Sequence, residues 1–268
     1  MFSVGRVIAV ANQKGGVGKT TTAINIAAGL AAAERKTLLI DGDPQGNASS
    51  GVGLQRGGEE PTSYDVLLDP NLAELAIVRG VQFANLDVLP SSPDLAAAEI
   101  ELAAMDGREQ RMRQAVDRLR PTYDYIVIDC PPSLGLITLN MLVAADTVLI
   151  PLQCEYYALE GLSQLIGTIA TIQQGASPSL ALEGVVLTMF DSRLNLSRQV
   201  AEDARAHFGD LVFRNVIPRN VRLAEAPSFG KPIISYDLGS VGAKAYLGVV
   251  NEIILKTDSM KQADLVVV

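Results

Sequence analysis

The run Lys14-Gly15-Gly16-Val17-Gly18-Lys19-Thr20-Thr21 has the residue types that phosphate binding requires, in a usable order. Small residues let the backbone wrap an anion with successive N–H groups pointing inward, and a helix beginning directly afterwards adds positive potential. Lys19 is placed to reach the β- and γ-phosphates of a nucleotide, and the Thr20 hydroxyl to ligate Mg²⁺. Lys14 brings a second cation into the loop. A dinucleotide-binding turn fits poorly, because a third glycine is missing at Thr21 and a lysine occupies the turn.

Acids cluster at the ends of two apolar runs. Leu38-Leu39-Ile40 leads into Asp41, Gly42 and Asp43, and Tyr125-Ile126-Val127-Ile128 leads into Asp129. In doubly wound sheets the carboxyl ends of strands are where nucleotides sit. Taken singly, such an acid serves equally well as a cap for a helix or turn. No Glu or Gln is placed as a strong general base, so the chemistry these residues support is slow hydrolysis.

Elements of a particular kind must position these groups. Short apolar runs occur at Arg6–Ala11, Thr37–Asp41, Leu86–Leu89, Tyr125–Asp129, Thr147–Pro151, Val185–Met189 and Val212–Ile217. Helical patterns lie between them at Thr20–Glu34, Gln110–Leu119, Leu159–Gln173, Arg198–Phe208 and Ala243–Lys256. Continuous rather than alternating apolar strands predict a sheet covered on both faces. The expected fold is therefore α/β, a doubly wound, mostly parallel sheet with helices on both faces. One domain over residues 1–268 accommodates it, with Ser49–Thr62 and its glycines 51, 53, 57 and 58 as a surface loop.

Composition agrees. With 48% apolar, 19% charged and 5% aromatic residues, the chain suits a globule packed with aliphatic side chains and not a disordered one. Two cysteines, Cys130 and Cys154, are too few for a disulfide framework or a zinc cluster. With no cleavage signal and no long apolar span, the expectation is a reduced, cytoplasmic protein.

The form K-G-G-V-G-K-T resembles the deviant Walker A loop of the ParA/MinD superfamily of P-loop ATPases, and longer phrases resemble its ParA/Soj chromosome-partitioning branch. These are Ala11-Asn12-Gln13, Asp43 through Ala48 (DPQGNA), Gln153 through Gly161 (QCEYYALEG) and Pro218 through Lys231 (PRNVRLAEAPSFGK). The likeness runs from about Val7 to Leu255. It implies that Gly15 through Thr21 bind ATP and that Lys14 crosses to the nucleotide of a partner subunit in a face-to-face homodimer, as an arginine finger does. By the same likeness Asp43 orients the attacking water, Asp129 holds Mg²⁺ through water, and Asp41 assists the ion's shell. Pro218 and Asn220 are placed against adenine, although residues 217–220 taken alone read equally as a surface turn. A ParB-type partner that stimulates hydrolysis is also implied, as is association with the nucleoid in the ATP-bound state.

Net charge is −8, which counts against a nucleic-acid partner until its distribution is considered. Residues 59–109 carry 11 Asp/Glu against Arg79 and Arg108, whereas residues 190–231 carry seven Lys/Arg against five Asp/Glu. This permits non-specific binding of double-stranded DNA, and Arg193, Arg222 and Lys231 are the candidate contacts. The alternative is a MinD-like, membrane-associated division-site ATPase. It would require a basic amphipathic helix at the end of the chain, and the run from Lys256 to Val268 has little cationic face, so no membrane contact is expected. A nitrogenase-like reductase would need cluster-bridging cysteines, and buried thiols are the better reading of Cys130 and Cys154.

Overall fold

The computed structural model describes residues 5–55, 60–155 and 158–266. Gly57 and Gly58 of the expected loop, Tyr156 and Tyr157 of the QCEYYALEG phrase, and the last two valines of the chain lie outside the described residues. Six strands, β1 (Arg6–Val10), β2 (Thr37–Asp41), β3 (Leu86–Leu89), β4 (Tyr125–Asp129), β5 (Thr147–Gln153) and β6 (Ala181–Thr188), form one sheet in the order β3-β2-β4-β1-β5-β6. Every strand pairing within it is parallel. The strand order reverses beside β1, so the crevice at a topological switch point opens where the glycine loop leaves that strand.

Helices cover both faces. They are α1 (Lys19–Ala32), α2 (Asn47–Gly51), α3 (Ser63–Leu68), α4 (Ala98–Glu101), α5 (Arg111–Leu119) and α6 (Leu136–Ala144) in the first half. The second half adds α7 (Ala158–Gln174), α8 (Asn195–Phe208), α9 (Val221–Glu225), α10 (Ile233–Tyr236) and α11 (Val241–Val266). Alternate residues of β1 feed opposite cores. Val7 and Ala9 pack with residues of α5, α6, α7 and α8, while Ile8 and Val10 pack with α1 and α11. Burial on both sides is why these strands read as unbroken apolar runs. Thr22 and Tyr246 tie α1 to α11 through a buried hydroxyl pair at 3.1 Å.

Two expectations are corrected. Val212–Ile217 is not a regular strand, although it follows β6 through an isolated bridge at Val212 and through amide bonds from Phe213 and Ile217 to the Val185 and Leu187 carbonyls. The amides of Arg214 and Asn215 donate instead to the Glu252 carboxylate of α11, at 3.0 and 2.9 Å, which interrupts any ladder. Part of the expected 49–62 loop is helical, since α2 runs to Gly51. Helix α6 has no counterpart among the expected helices, because its sequence LITLNMLVA is apolar all round and carries no 3.6-residue stripe.

Candidate nucleotide site

The glycine loop spans the gap between β1 and α1, and contacts from distant strands fix its shape. Asn12 donates through Nδ2 to the Pro151 carbonyl at 2.8 Å and accepts from the Lys14 amide at 3.0 Å. The Thr188 hydroxyl donates to the Val17 carbonyl at 2.8 Å. Gly16 and Gly18 have φ of 74° and 90°, a left-handed backbone that a side chain at either position would strain. Gly18 then caps α1 without a side chain of its own, leaving the first amides of the helix available to an anion. Gly15 and Gly16 are exposed, Val17 and Lys19 are buried, and Thr20 and Thr21 are half-buried.

Lys19 arches back over the loop, and its ammonium donates to the Lys14 carbonyl at 3.0 Å. Burial lowers its pKa, while Asp129, Cys130 and Asp43 oppose that shift. Lys14 points elsewhere: its Nζ lies 2.7 Å from the Glu155 carboxylate, just beyond β5 in the same chain.

The three acids are not equivalent. Asp41 and Asp129 are register partners across β2 and β4. Asp41 is fully engaged: Oδ1 accepts from the Asp43 amide at 3.2 Å, and Oδ2 accepts from the Ser49 amide and hydroxyl at 2.7 and 2.6 Å. These bonds give it a structural part, anchoring α2 to the end of β2, besides the part in a metal shell that the likeness implies. Asp43 is buried, and its Oδ1 accepts from the Gln45 amide at 2.9 Å. Asp129 is wholly buried, and among the described residues neither carboxylate oxygen meets hydrogen-bond geometry with a partner, although the Thr20 hydroxyl lies close enough to lower its pKa. Desolvation pushes its pKa well up and the charge of Asp41 adds to this, while Thr20 and Lys19 oppose it. Burial likewise raises Asp41, to about 6.

An unpartnered buried carboxylate beside a lysine and a threonine hydroxyl suits a bound cation. Among the described residues no group of three or more His, Cys, Asp or Glu side chains converges on a point. A single carboxylate and a hydroxyl is the donor set that fits Mg²⁺, which retains water and shares phosphate oxygens, and does not fit a metal needing an all-protein cage.

A cavity of about 220 Å³ adjoins the loop, lined among others by Gly18, Thr21, Ile217, Pro218, Asn220 and Tyr246. Pro218 and Asn220 are thus brought to the loop although they lie far away in sequence. A side-chain amide offers a base edge both a donor and an acceptor, and here the acceptor is engaged. The Asn220 Oδ1 caps α9, accepting from the Leu223 amide at 3.3 Å, so only its amide nitrogen is left to face a base.

The DNA candidates form a less uniform set. Arg193 is exposed but pairs with Asp191 at 2.7 Å. Arg222 pairs with Glu225 at 3.0 Å and approaches Asp237 at 3.7 Å. Lys231 is exposed and makes no ion pair with the described residues. Cys130 and Cys154 are buried and free, and burial raises both thiols. Among the described residues no helix is long and apolar enough to cross a membrane. Asn12, Ser49, Glu155 and Thr188 are supports of the site that the sequence does not single out. Asn12 and Glu155 stand inside matching phrases, while Ser49 and Thr188 are placed by tertiary contacts alone.

Comparison with known proteins agrees with this arrangement. A family described as "AAA domain" matches residues 5–182. The chromosome partitioning protein ParA of Myxococcus xanthus is 57% identical over 97% of this chain and 91% of its own. The sporulation initiation inhibitor protein Soj of Bacillus subtilis is 52% identical over 93% of this chain and 98% of its own. Among solved structures, cobyrinic acid a,c-diamide synthase of Mycobacterium smegmatis with bound ADP and magnesium superposes with a TM-score of 0.81 at 38% identity, covering 95% of this chain and 96% of that one. With the glycine loop, the buried Asp129 and the parallel sheet in place, the chain belongs to the ParA/Soj family of chromosome-partitioning P-loop ATPases.

Proposed function

We propose that this protein is an ATP-driven switch. It dimerises face to face with Mg·ATP, binds double-stranded DNA non-specifically in that form, and partitions a chromosome or plasmid together with a ParB-type partner. The observation that carries the reading is the buried, unpartnered Asp129 set beside Lys19 and Thr20 at the head of α1.

In this reading the loop amides from Gly15 to Thr21 and the free N-terminus of α1 hold the phosphates. Lys19 leaves the Lys14 carbonyl to face the β- and γ-phosphates, and Thr20 and Asp129 hold Mg²⁺, which when bound neutralises charge between those phosphates. Asp43 orients the attacking water from the end of β2. Pro218 packs against the base, and the Asn220 amide nitrogen donates to its edge. Lys14 exchanges Glu155 for the nucleotide of a second subunit, so hydrolysis is tied to dimerisation and stays slow until a partner stimulates it. Arg193, Arg222 and Lys231, doubled in the dimer, contact DNA phosphates.

The test is binding of a random-sequence duplex by the wild-type protein with Mg·ATP, with Mg·ADP and without nucleotide. Retention only with Mg·ATP supports the switch, and equal retention in all three conditions refutes it. The membrane-associated alternative has no supporting feature among the described residues.

A further inference from the structure

We propose that Glu99 is a positioning residue for hydrolysis, because its carboxylate clamps the far end of the loop that follows Asp129. The proposal rests on the ATP-switch reading and adds to it a lever outside the nucleotide site.

After β4 the chain is pinned where the Cys130 amide donates to the Val10 carbonyl at 3.2 Å. Pro132, Ser133 and Leu134 are exposed, and α6 begins at Leu136. The first amides of a helix have no partner within it. Here the two leading amides donate to one carboxylate from a distant segment: Leu136 N to Glu99 Oε2 at 2.8 Å and Ile137 N to Glu99 Oε1 at 3.2 Å. An ionised acceptor spanning two amides at a helix N-terminus makes a strong cap. Glu99 is itself held rigidly. Its neighbours Ala98 and Leu102 are fully buried in the core, and the Tyr64 hydroxyl donates to Glu101 at 3.1 Å.

Gly135 records the same closeness. A Cβ there would overlap the Glu99 carboxylate, while its φ of −83° and ψ of −172° suit any residue. A side chain at position 135 would thus displace the carboxylate, while the backbone itself accepts one. Helix α6 has an independent fastening, because Asn140 accepts from the Met112 amide at 3.2 Å and donates to the Arg108 carbonyl at 2.7 Å. Loss of the clamp therefore loosens the 131–135 segment without unseating α6, leaving it held by Cys130 at one end and by the Thr138 hydroxyl, which donates to the Ser133 carbonyl at 2.6 Å. That segment begins beside Asp129, so its freedom is felt at the nucleotide.

Three variants test this: Glu99→Ala, Glu99→Gln, and Gly135→Ala, which ejects the carboxylate while leaving Glu99 in place. The expected result is ADP affinity within about twofold of wild type, with kcat for ATP lowered by about five- to tenfold and KM little changed. Glu99→Gln, which keeps one acceptor, should retain an intermediate rate. Adding Gly135→Ala to Glu99→Ala should change nothing further. Amide exchange at residues 130–137 should rise in the ATP state, which a loss of general stability would not confine to that stretch. Wild-type turnover in all three variants would overturn the proposal, as would a fall in ADP and ATP affinity by the same factor. A wild-type protein that hydrolyses no ATP would instead overturn the switch reading beneath it.

Discussion

The ammonium of Lys14 sits 2.7 Å from the Glu155 carboxylate of its own chain, with both side chains more than a third exposed. In the proposed dimer Lys14 must first release this partner to reach a second subunit's nucleotide. Exposed pairs of this kind are worth about 0.2–1 kcal/mol, enough to bias the exchange but not to prevent it. Glu155→Gln should therefore tighten the ATP-dependent dimer by up to about fivefold, since about 1.4 kcal/mol corresponds to a factor of ten. Sedimentation equilibrium with Mg·ATP measures it, and an unchanged or weaker dimer would mean that the pair does not restrain Lys14. Lys14→Ala, compared alongside, should lose turnover whatever stands at position 155.

In the proposed dimer Gly15 separates the monomer site from the facing subunit. A Cβ built there meets nothing within 4 Å in the single chain, so Gly15→Val should bind ATP nearly as wild type does. In a sandwich of two such loops the added branches would face the opposing backbone, and dimerisation should fail. Equilibrium dialysis followed by gel filtration checks both halves. Normal ATP-dependent dimerisation of this variant would exclude face-to-face packing through the loop.

For DNA, two of the three candidate cations are tied to acids in the chain, Arg193 to Asp191 and Arg222 to Glu225. Phosphate must compete with those carboxylates, which lowers the contribution of each site and makes doubling in a dimer more important. Arg222→Glu should abolish duplex binding while leaving dimerisation and slow hydrolysis in place. Wild-type affinity should drop by at least about tenfold between about 50 and 200 mM salt, through counterion release. An affinity indifferent to salt would contradict phosphate contact.

The buried acids give a pH signature. Burial raises Asp41 to about 6 and Asp129 well above its ordinary value. Only the ionised carboxylate receives Mg²⁺, so metal-assisted ADP binding should be lost as pH falls through the raised pKa of Asp129. Asp41→Asn removes a charge that pushes Asp129 up, and should move that loss to lower pH. Calorimetry from about pH 5 to 8, with and without EDTA, tests the shift. Identical profiles for the two proteins would show that Asp41 and Asp129 are not coupled.

Much of the fold was legible because its strands are buried on both faces. Tyr125–Asp129 could be read directly from β-branched and aliphatic residues in succession, and Lys14–Thr21 from glycine spacing before a helix. What escaped was decided by partners distant in the chain. Val212–Ile217 has strand composition, yet Glu252 takes two of its amides. Asp41 and Asp129 look alike as acids ending apolar runs, and the Asp43 amide together with Ser49, eight residues on, distinguishes the occupied carboxylate from the open one. Asn220 read as a base-edge group is half committed to capping α9, a role visible only once the helix after it is known.

Gel filtration of Asp43→Ala, with Lys19→Ala as control, tests the central claim most directly. In the proposed switch Asp43, buried just beyond β2, orients water without holding phosphate, whereas Lys19, whose ammonium rests on the Lys14 carbonyl, supplies the charge that faces the β- and γ-phosphates. With Mg·ATP, Asp43→Ala should retain nucleotide and run as a persistent dimer that does not decay over hours, while Lys19→Ala should bind no nucleotide and stay monomeric. A nucleotide-bound Asp43→Ala that remains a monomer would contradict the account.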